Sequence, residues 1–143
     1  MTPDWDLLAR LAELRFRQDA ERLAALRREA AELREARMRL DAEGRAAVLS
    51  RPVDGGAALA ACELWRGWAR ARRVDLATRE AELRAREGIA AAGLRRSFGR
   101  REAVAREAAR AEAAAAHKEA LRDGERLLSA VCVKTSAGPR QRS

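Results

Sequence analysis

Leucine and alanine recur along the first third of the chain at alternating spacings of three and four residues. This spacing is typical of a helix that packs one stripe of side chains against a partner helix. The stripe consists of Leu23, Leu26, Ala30, Leu33, Arg37, Leu40 and Ala47. Arg37 fits within it because its aliphatic stem can pack while its guanidinium reaches water. Upstream, Thr2 suits a helix cap and Pro3 the first helical position, so a helix is predicted over residues 4–48.

A second apolar stripe lies closer to the N-terminus. It consists of Leu7, Leu8, Leu11 and Leu14, which fall on a different face of the same helix. The register of the stripe is therefore predicted to shift around residues 14–19. Such a shift implies either a stutter or a second packing partner near the N-terminus.

One strong break separates this helix from the rest of the chain. Pro52 biases the residue before it away from helix, and the Gly55-Gly56 pair suits a turn over residues 50–56. Asp54 is placed to cap the helix that follows, which is predicted over residues 57–130. The residues that share one face of this second helix are Cys62, Trp65, Ala69, Leu76, Leu83 and Ala90.

Together the two helices predict an all-α fold, a long antiparallel two-helix coiled-coil hairpin. Of the 143 residues, 48% are hydrophobic but only 3% are aromatic, which suits a thin seam between helices better than a thick core. Gly88, Gly93 and Gly99 each weaken a helix by ~1 kcal/mol relative to alanine, which predicts a kink. We expect a single domain over residues 1–133 and a disordered, frayed tail over residues 134–143.

The net charge of +8 is unevenly distributed. Residues 1–50 hold ten arginines and ten acidic residues, whereas residues 66–101 hold eleven arginines and four acidic residues. Basic stretches of this kind can bind phosphates, anionic lipid headgroups or acidic protein surfaces. An arginine excess is also typical of a GC-rich genome, so the charge alone does not select a partner.

No motif in the chain predicts catalysis. Phosphate-binding loops, metalloprotease motifs and nucleophile elbows are absent, and His117 is the only histidine. Cys62 and Cys132 are too far apart in sequence to resemble a metal-binding pair. We therefore expect no enzymatic activity, no catalytic residues, no cofactor, no metal and no small-molecule substrate. The N-terminus lacks a signal-peptide pattern, which predicts a cytoplasmic protein that reaches a membrane only peripherally, through its partners.

The residues with the best prospects of binding a partner lie at the start of the second helix. Arg66, Arg70 and Arg73 fall on one face, close to Trp65 and Trp68. Tryptophan stacking with arginine–phosphate contacts would favour nucleic acid, but the acidic residues that follow at once count against that partner. The alternatives are tryptophans that pack at the end of the hairpin near the turn, or a protein-interaction hot spot, where tryptophan and arginine are over-represented.

The arrangement of the chain resembles a known family. A long helix opens near Met1, turns at a glycine-containing segment and returns through an Arg/Glu-rich helix, with the closest likeness in Leu64–Ala69, Leu76, Leu83–Glu87 and Leu94–Ala103. In these features the chain is similar to the FliJ family of flagellar type III export and its injectisome counterpart, the YscO family. It departs from them in its early, proline-bearing turn and its alanine-rich C-terminal end.

The resemblance implies a non-enzymatic stalk that escorts chaperones. Proteins of this kind form an antiparallel coiled coil, insert into the ring of the export ATPase, contact the export gate and help to recycle substrate chaperones. On this chain the implied partner-binding positions are the basic face of Arg66, Arg70 and Arg73, and, for a helix end that enters the ring, Leu7, Leu8 and Leu11. An unrelated coiled-coil scaffold that dimerises through its helices stays the alternative.

Overall fold

The computed structural model describes residues 3–49 and 55–136, with side chains as far as Lys134. These residues form two helices, α1 from Trp5 to Leu49 and α2 from Gly56 to Ser136, and the described ranges contain no strand. The prediction of an all-α fold is confirmed. Most of the predicted turn, including Pro52 and Asp54, lies outside the described residues.

The first helix begins at a different cap from the predicted one. Pro3 precedes the helix instead of occupying its first position, and Thr2 lies outside the described residues. Asp4 caps the helix, since its Oδ1 accepts a hydrogen bond from the Leu7 amide at 3.0 Å. At the start of α2, Gly55 has a φ of 131°, a backbone conformation that glycine adopts without steric cost.

The second helix is longer than predicted. It continues through Gly88, Gly93 and Gly99 and ends at Ser136, so residues 134–136 of the predicted tail are helical. Residues 137–143 lie outside the described range. Tertiary packing explains why the glycines do not end the helix, because Ala90 and Ser97 within this stretch are both buried.

The described residues divide into two compact units. One comprises the residues up to Ala12 together with those from Arg100 onward, and the other comprises Glu13–Gly99. No observation tests the predicted single domain over residues 1–133, which stays a prediction.

Within Glu13–Gly99 the two helices run antiparallel. The rings of Phe16 and Phe98 lie 6.1 Å apart between centroids. Further along α1, Arg37 forms an ion pair with Glu80 at 3.3 Å, so partners on α2 have lower numbers as α1 advances. The hairpin predicted from the sequence is therefore confirmed in this unit.

A narrow seam of small and branched side chains holds this unit together. Two clusters of buried residues form it, Leu23, Leu26, Ala30, Leu83 and Ala90 in one and Leu40, Ala69 and Leu76 in the other. Leu33 is partly buried and packs against both clusters. Each buried leucine contributes roughly 1.5–3 kcal/mol relative to an exposed one. All eight of these buried residues belong to the stripes predicted from the sequence. The other predicted positions are less covered: Leu33, Cys62 and Trp65 are half-buried, and Arg37 and Ala47 are exposed.

Candidate interaction surfaces

The three arginines singled out from the sequence are all exposed on α2, but their ion pairs differ. Arg66 Nη1 lies 2.6 Å from Glu63 Oε1 on the same helix, whereas Arg73 Nε lies 3.1 Å from Asp41 Oδ1 of α1. Arg70 has no ion pair with any residue that the structure describes. It is therefore the arginine of the three whose charge is most available to a partner.

The two tryptophans point in different directions. Trp65 is half-buried in the seam, and Trp68 is 54% exposed. At 3.6 residues per turn, Trp68 lies about 160° around α2 from Arg66 and from Arg70. The tryptophans and the arginines thus do not form a single surface on which bases could stack beside phosphate contacts.

The position of Trp65 depends on a glycine that the sequence analysis did not single out. A Cβ atom added to Gly44 of α1 would lie 3.3 Å from Trp65 Cη2 and 3.3 Å from Arg73 Nη2. The lack of a side chain at residue 44 lets both side chains approach the α1 backbone closely. The available signal was a glycine four residues after Leu40, at a seam position of a helix where glycine is otherwise unfavourable.

Two grooves lie beside Trp65 and share it as a wall. One has a volume of about 340 Å³ and is lined by Ala47, Val48, Ala61, Cys62, Trp65 and Arg66. The other has a volume of about 610 Å³ and is lined by Asp41, Gly44, Arg45, Val48, Leu49, Trp65, Arg66 and Arg73. The second groove has an apolar wall, and arginines lie along its rim.

Charge separates the two sides of the hairpin around these grooves. The side that carries the Arg73–Asp41 and Arg37–Glu80 pairs is called the arginine flank, and it consists of Arg34, Arg37, Asp41, Arg45, Glu63, Arg66, Arg70, Arg73, Glu80 and Arg84. Helical spacing places these residues on one side of the seam. The charged residues on the opposite side over the same stretch are Arg39, Glu43, Arg72, Asp75, Arg79 and Glu82. One side is thus strongly basic and the other is nearly neutral.

The N-terminal leucines are only partly covered by the rest of the chain. Leu7 is 52% exposed and Leu11 is 53% exposed, while Leu8 is 39% exposed. Trp5 and Ala12 in the same part of α1 are half-buried. No observation tests the predicted register shift around residues 14–19, so the stutter and the second packing partner both stay predictions.

The C-terminal part of α2 is exposed along its length. From Glu112 to Lys134 every residue other than Gly124 is exposed, and the large apolar ones include Leu121, Leu127 and Leu128. No helix of the described residues combines the length and the apolar character that crossing a membrane requires. Within the described ranges, His, Cys, Asp and Glu side chains form no group of three that could hold a metal ion.

Comparisons of the chain with protein-family models, with curated proteins and with solved structures found no match. The resemblance to the FliJ and YscO families therefore stays a prediction.

Proposed function

We propose that this chain is a non-enzymatic coiled-coil stalk and chaperone-escort protein of the bacterial flagellar or injectisome type III export apparatus. The observation that supports it best is the antiparallel pairing of α1 and α2 through a seam of leucine and alanine. Such a pair exposes most of its side chains, so it acts through its outer surfaces. In this role it works on the cytoplasmic side of the membrane and has no substrate of its own.

Two described surfaces suit the contacts that this role requires. The half-exposed leucines Leu7, Leu8 and Leu11 offer an apolar helix end for the ring of the export ATPase. The arginine flank offers a basic side for the export gate or for substrate chaperones. Both surfaces work by contact alone, which agrees with a protein that promotes hydrolysis without carrying it out.

The test uses the export ATPase encoded by the same genome. Purified alone, the chain should hydrolyse no ATP; added to the ATPase, it should raise the hydrolysis rate or the hexamer fraction seen by mass photometry. Replacing Leu7 and Leu11 together by serine should abolish most of this effect. The far-ultraviolet circular dichroism should change little, because both side chains are about half exposed.

A matched control tests whether the lost stimulation is specific to Leu7 and Leu11 or follows from replacing any two exposed leucines. Leu64 and Leu127 are 77% and 69% exposed, so replacing both by serine removes the same chemistry elsewhere. This control should stimulate the ATPase as well as the wild type does. If the wild-type chain neither binds nor stimulates the ATPase, the export assignment is wrong.

A coiled-coil scaffold that dimerises is the second candidate, and one observation favours it. Leu121, Leu127 and Leu128 are exposed on a stretch of α2 where no side chain is buried. Exposed leucines on a helix are typical of a surface that pairs with another chain. Sedimentation equilibrium that gives twice the chain mass at low micromolar concentration, and a single-chain mass for a Leu121→Ser/Leu128→Ser variant, would favour the scaffold.

A further inference from the structure

The arginine flank carries more positive charge than its own carboxylates can pair. Each of its three acidic residues is already engaged, Asp41 by Arg73, Glu63 by Arg66, and Glu80 by both Arg37 and Arg84. Three further arginines of the flank, Arg34, Arg45 and Arg70, have no ion pair with any described residue and are exposed. The flank therefore presents a row of free guanidinium groups.

One of these free charges, that of Arg45, borders an apolar groove. In the groove of about 610 Å³, Gly44, Val48, Leu49 and Trp65 form an apolar wall and Arg45 lies on the rim. Leu49 is 87% exposed and Val48 is 66% exposed, so apolar surface is accessible beside the charges. An apolar strip with arginines along its edge matches a helix whose apolar face is bordered by carboxylates.

We propose that the arginine flank binds an acidic amphipathic helix of a partner protein. The helix lies along the groove, with its apolar face on Val48, Leu49 and the exposed part of Trp65. Its carboxylates pair with Arg34, Arg45 and Arg70, where each guanidinium can bind a carboxylate through two hydrogen bonds. The partner completes a three-helix packing at this end of the hairpin.

The geometry disfavours the other occupants of a basic groove. A nucleic acid gains affinity from aromatic stacking, but Trp65 packs in the seam and Trp68 lies on the opposite side of α2. A second copy of the chain, docked by this same flank, would bring arginine against arginine. The proposal is independent of the export assignment, so either can fail while the other stands.

The probe for the test is a fluorescein-labelled synthetic peptide of four heptads, about 28 residues, with leucine at the two seam positions and glutamate at the flanking ones. The full-length chain should bind it, measured by fluorescence anisotropy, and added salt should weaken binding. The double variant Arg45→Glu/Arg70→Glu should bind at least ~10-fold more weakly, since both arginines face the peptide.

The control variant makes the same charge change away from the flank. Arg22 and Arg86 are exposed, have no ion pair among the described residues and lie on the opposite side of the seam, so Arg22→Glu/Arg86→Glu should weaken binding less than ~2-fold. If charge reversal unfolds either protein, the neutral pairs Arg45→Ala/Arg70→Ala and Arg22→Ala/Arg86→Ala give the same comparison.

Three results would overturn the proposal. One is that the flank and control variants weaken peptide binding equally, which would mean that only the net charge of the chain matters. Another is tighter binding to a duplex DNA oligonucleotide of equal charge than to the peptide, which would favour nucleic acid. The third is a dimer, in the absence of peptide, that the flank variant converts to monomer, which would assign the groove to a second copy.

Discussion

Two stretches of α2 have similar lengths, but one packs against α1 and the other is exposed to solvent. Between Ala69 and Ala90 four side chains are buried against α1, Ala69, Leu76, Leu83 and Ala90. Between Glu112 and Lys134 no side chain is buried, although the helix continues without a break. The first stretch is held by tertiary contacts and the second by its own propensity.

The two stretches of α2 are stabilised by different interactions. In the exposed stretch the support comes from residues 113–116, all alanine, and from local ion pairs such as Arg126–Asp123 at 3.4 Å. Such terms amount to a few tenths of a kcal/mol per residue or pair. In the packed stretch a single buried leucine contributes several times as much. Substitutions of the same type should therefore have unequal effects in the two stretches.

The largest expected difference concerns leucine. Leu83→Ala removes a side chain that is 3% exposed, and it should lower the free energy of unfolding by roughly 2–5 kcal/mol. Leu128→Ala removes one that is 68% exposed and should change it by less than ~0.5 kcal/mol. Urea titrations followed by circular dichroism measure both. Equal losses would mean that Leu128 is packed in solution.

A smaller difference is expected between two glycines of the packed unit. A Cβ at Gly67 would meet nothing within 4 Å, so Gly67→Ala should raise the free energy of unfolding by ~1 kcal/mol through helix propensity. At Gly44 the same gain in helix propensity is offset by a packing cost, because the Trp65 ring and the Arg73 side chain must move to admit the new methyl group. We expect Gly44→Ala to be ~1 kcal/mol less stable than Gly67→Ala and to shift the tryptophan fluorescence. Equal gains at both sites would contradict the close approach at Gly44.

The smallest expected effect is that of Arg37–Glu80, one of the ion pairs between the helices. The Arg37 side chain is 57% exposed and the Glu80 side chain is 13% exposed. A double-mutant cycle on Arg37→Ala and Glu80→Ala should give a coupling free energy of ~0.2–1 kcal/mol that decreases with salt. A coupling above ~2 kcal/mol would mean that the pair, and not the leucine seam, holds this part of the hairpin.

The sequence predicted the parts of the fold that depend on periodicity. Leu40, Leu76 and Leu83 were assigned to the seam from their spacing, and the structure buries all three. Periodicity suffices there because a two-helix seam repeats the same contact along its length.

What the sequence did not predict depends on contacts between particular side chains. The approach of Trp65 to Gly44 involves residues of different helices, so spacing along one helix does not reveal it. The separation of Trp68 from Arg70, by contrast, follows from their spacing on one helix and could have been read from the sequence. Which partners the exposed surfaces bind stays a proposal.

The central claim is that α1 and α2 pack within one chain and that Glu13–Gly99 is the packed part of the hairpin. Native-state hydrogen exchange, followed by mass spectrometry at low and high protein concentration, tests it most directly. Amides over residues 23–40 and 69–90 should exchange about 100-fold more slowly than those over residues 112–134, which corresponds to about 3 kcal/mol of opening free energy, with no dependence on concentration. Equal protection of the two stretches, or protection of residues 112–134 that grows with concentration, would contradict the claim.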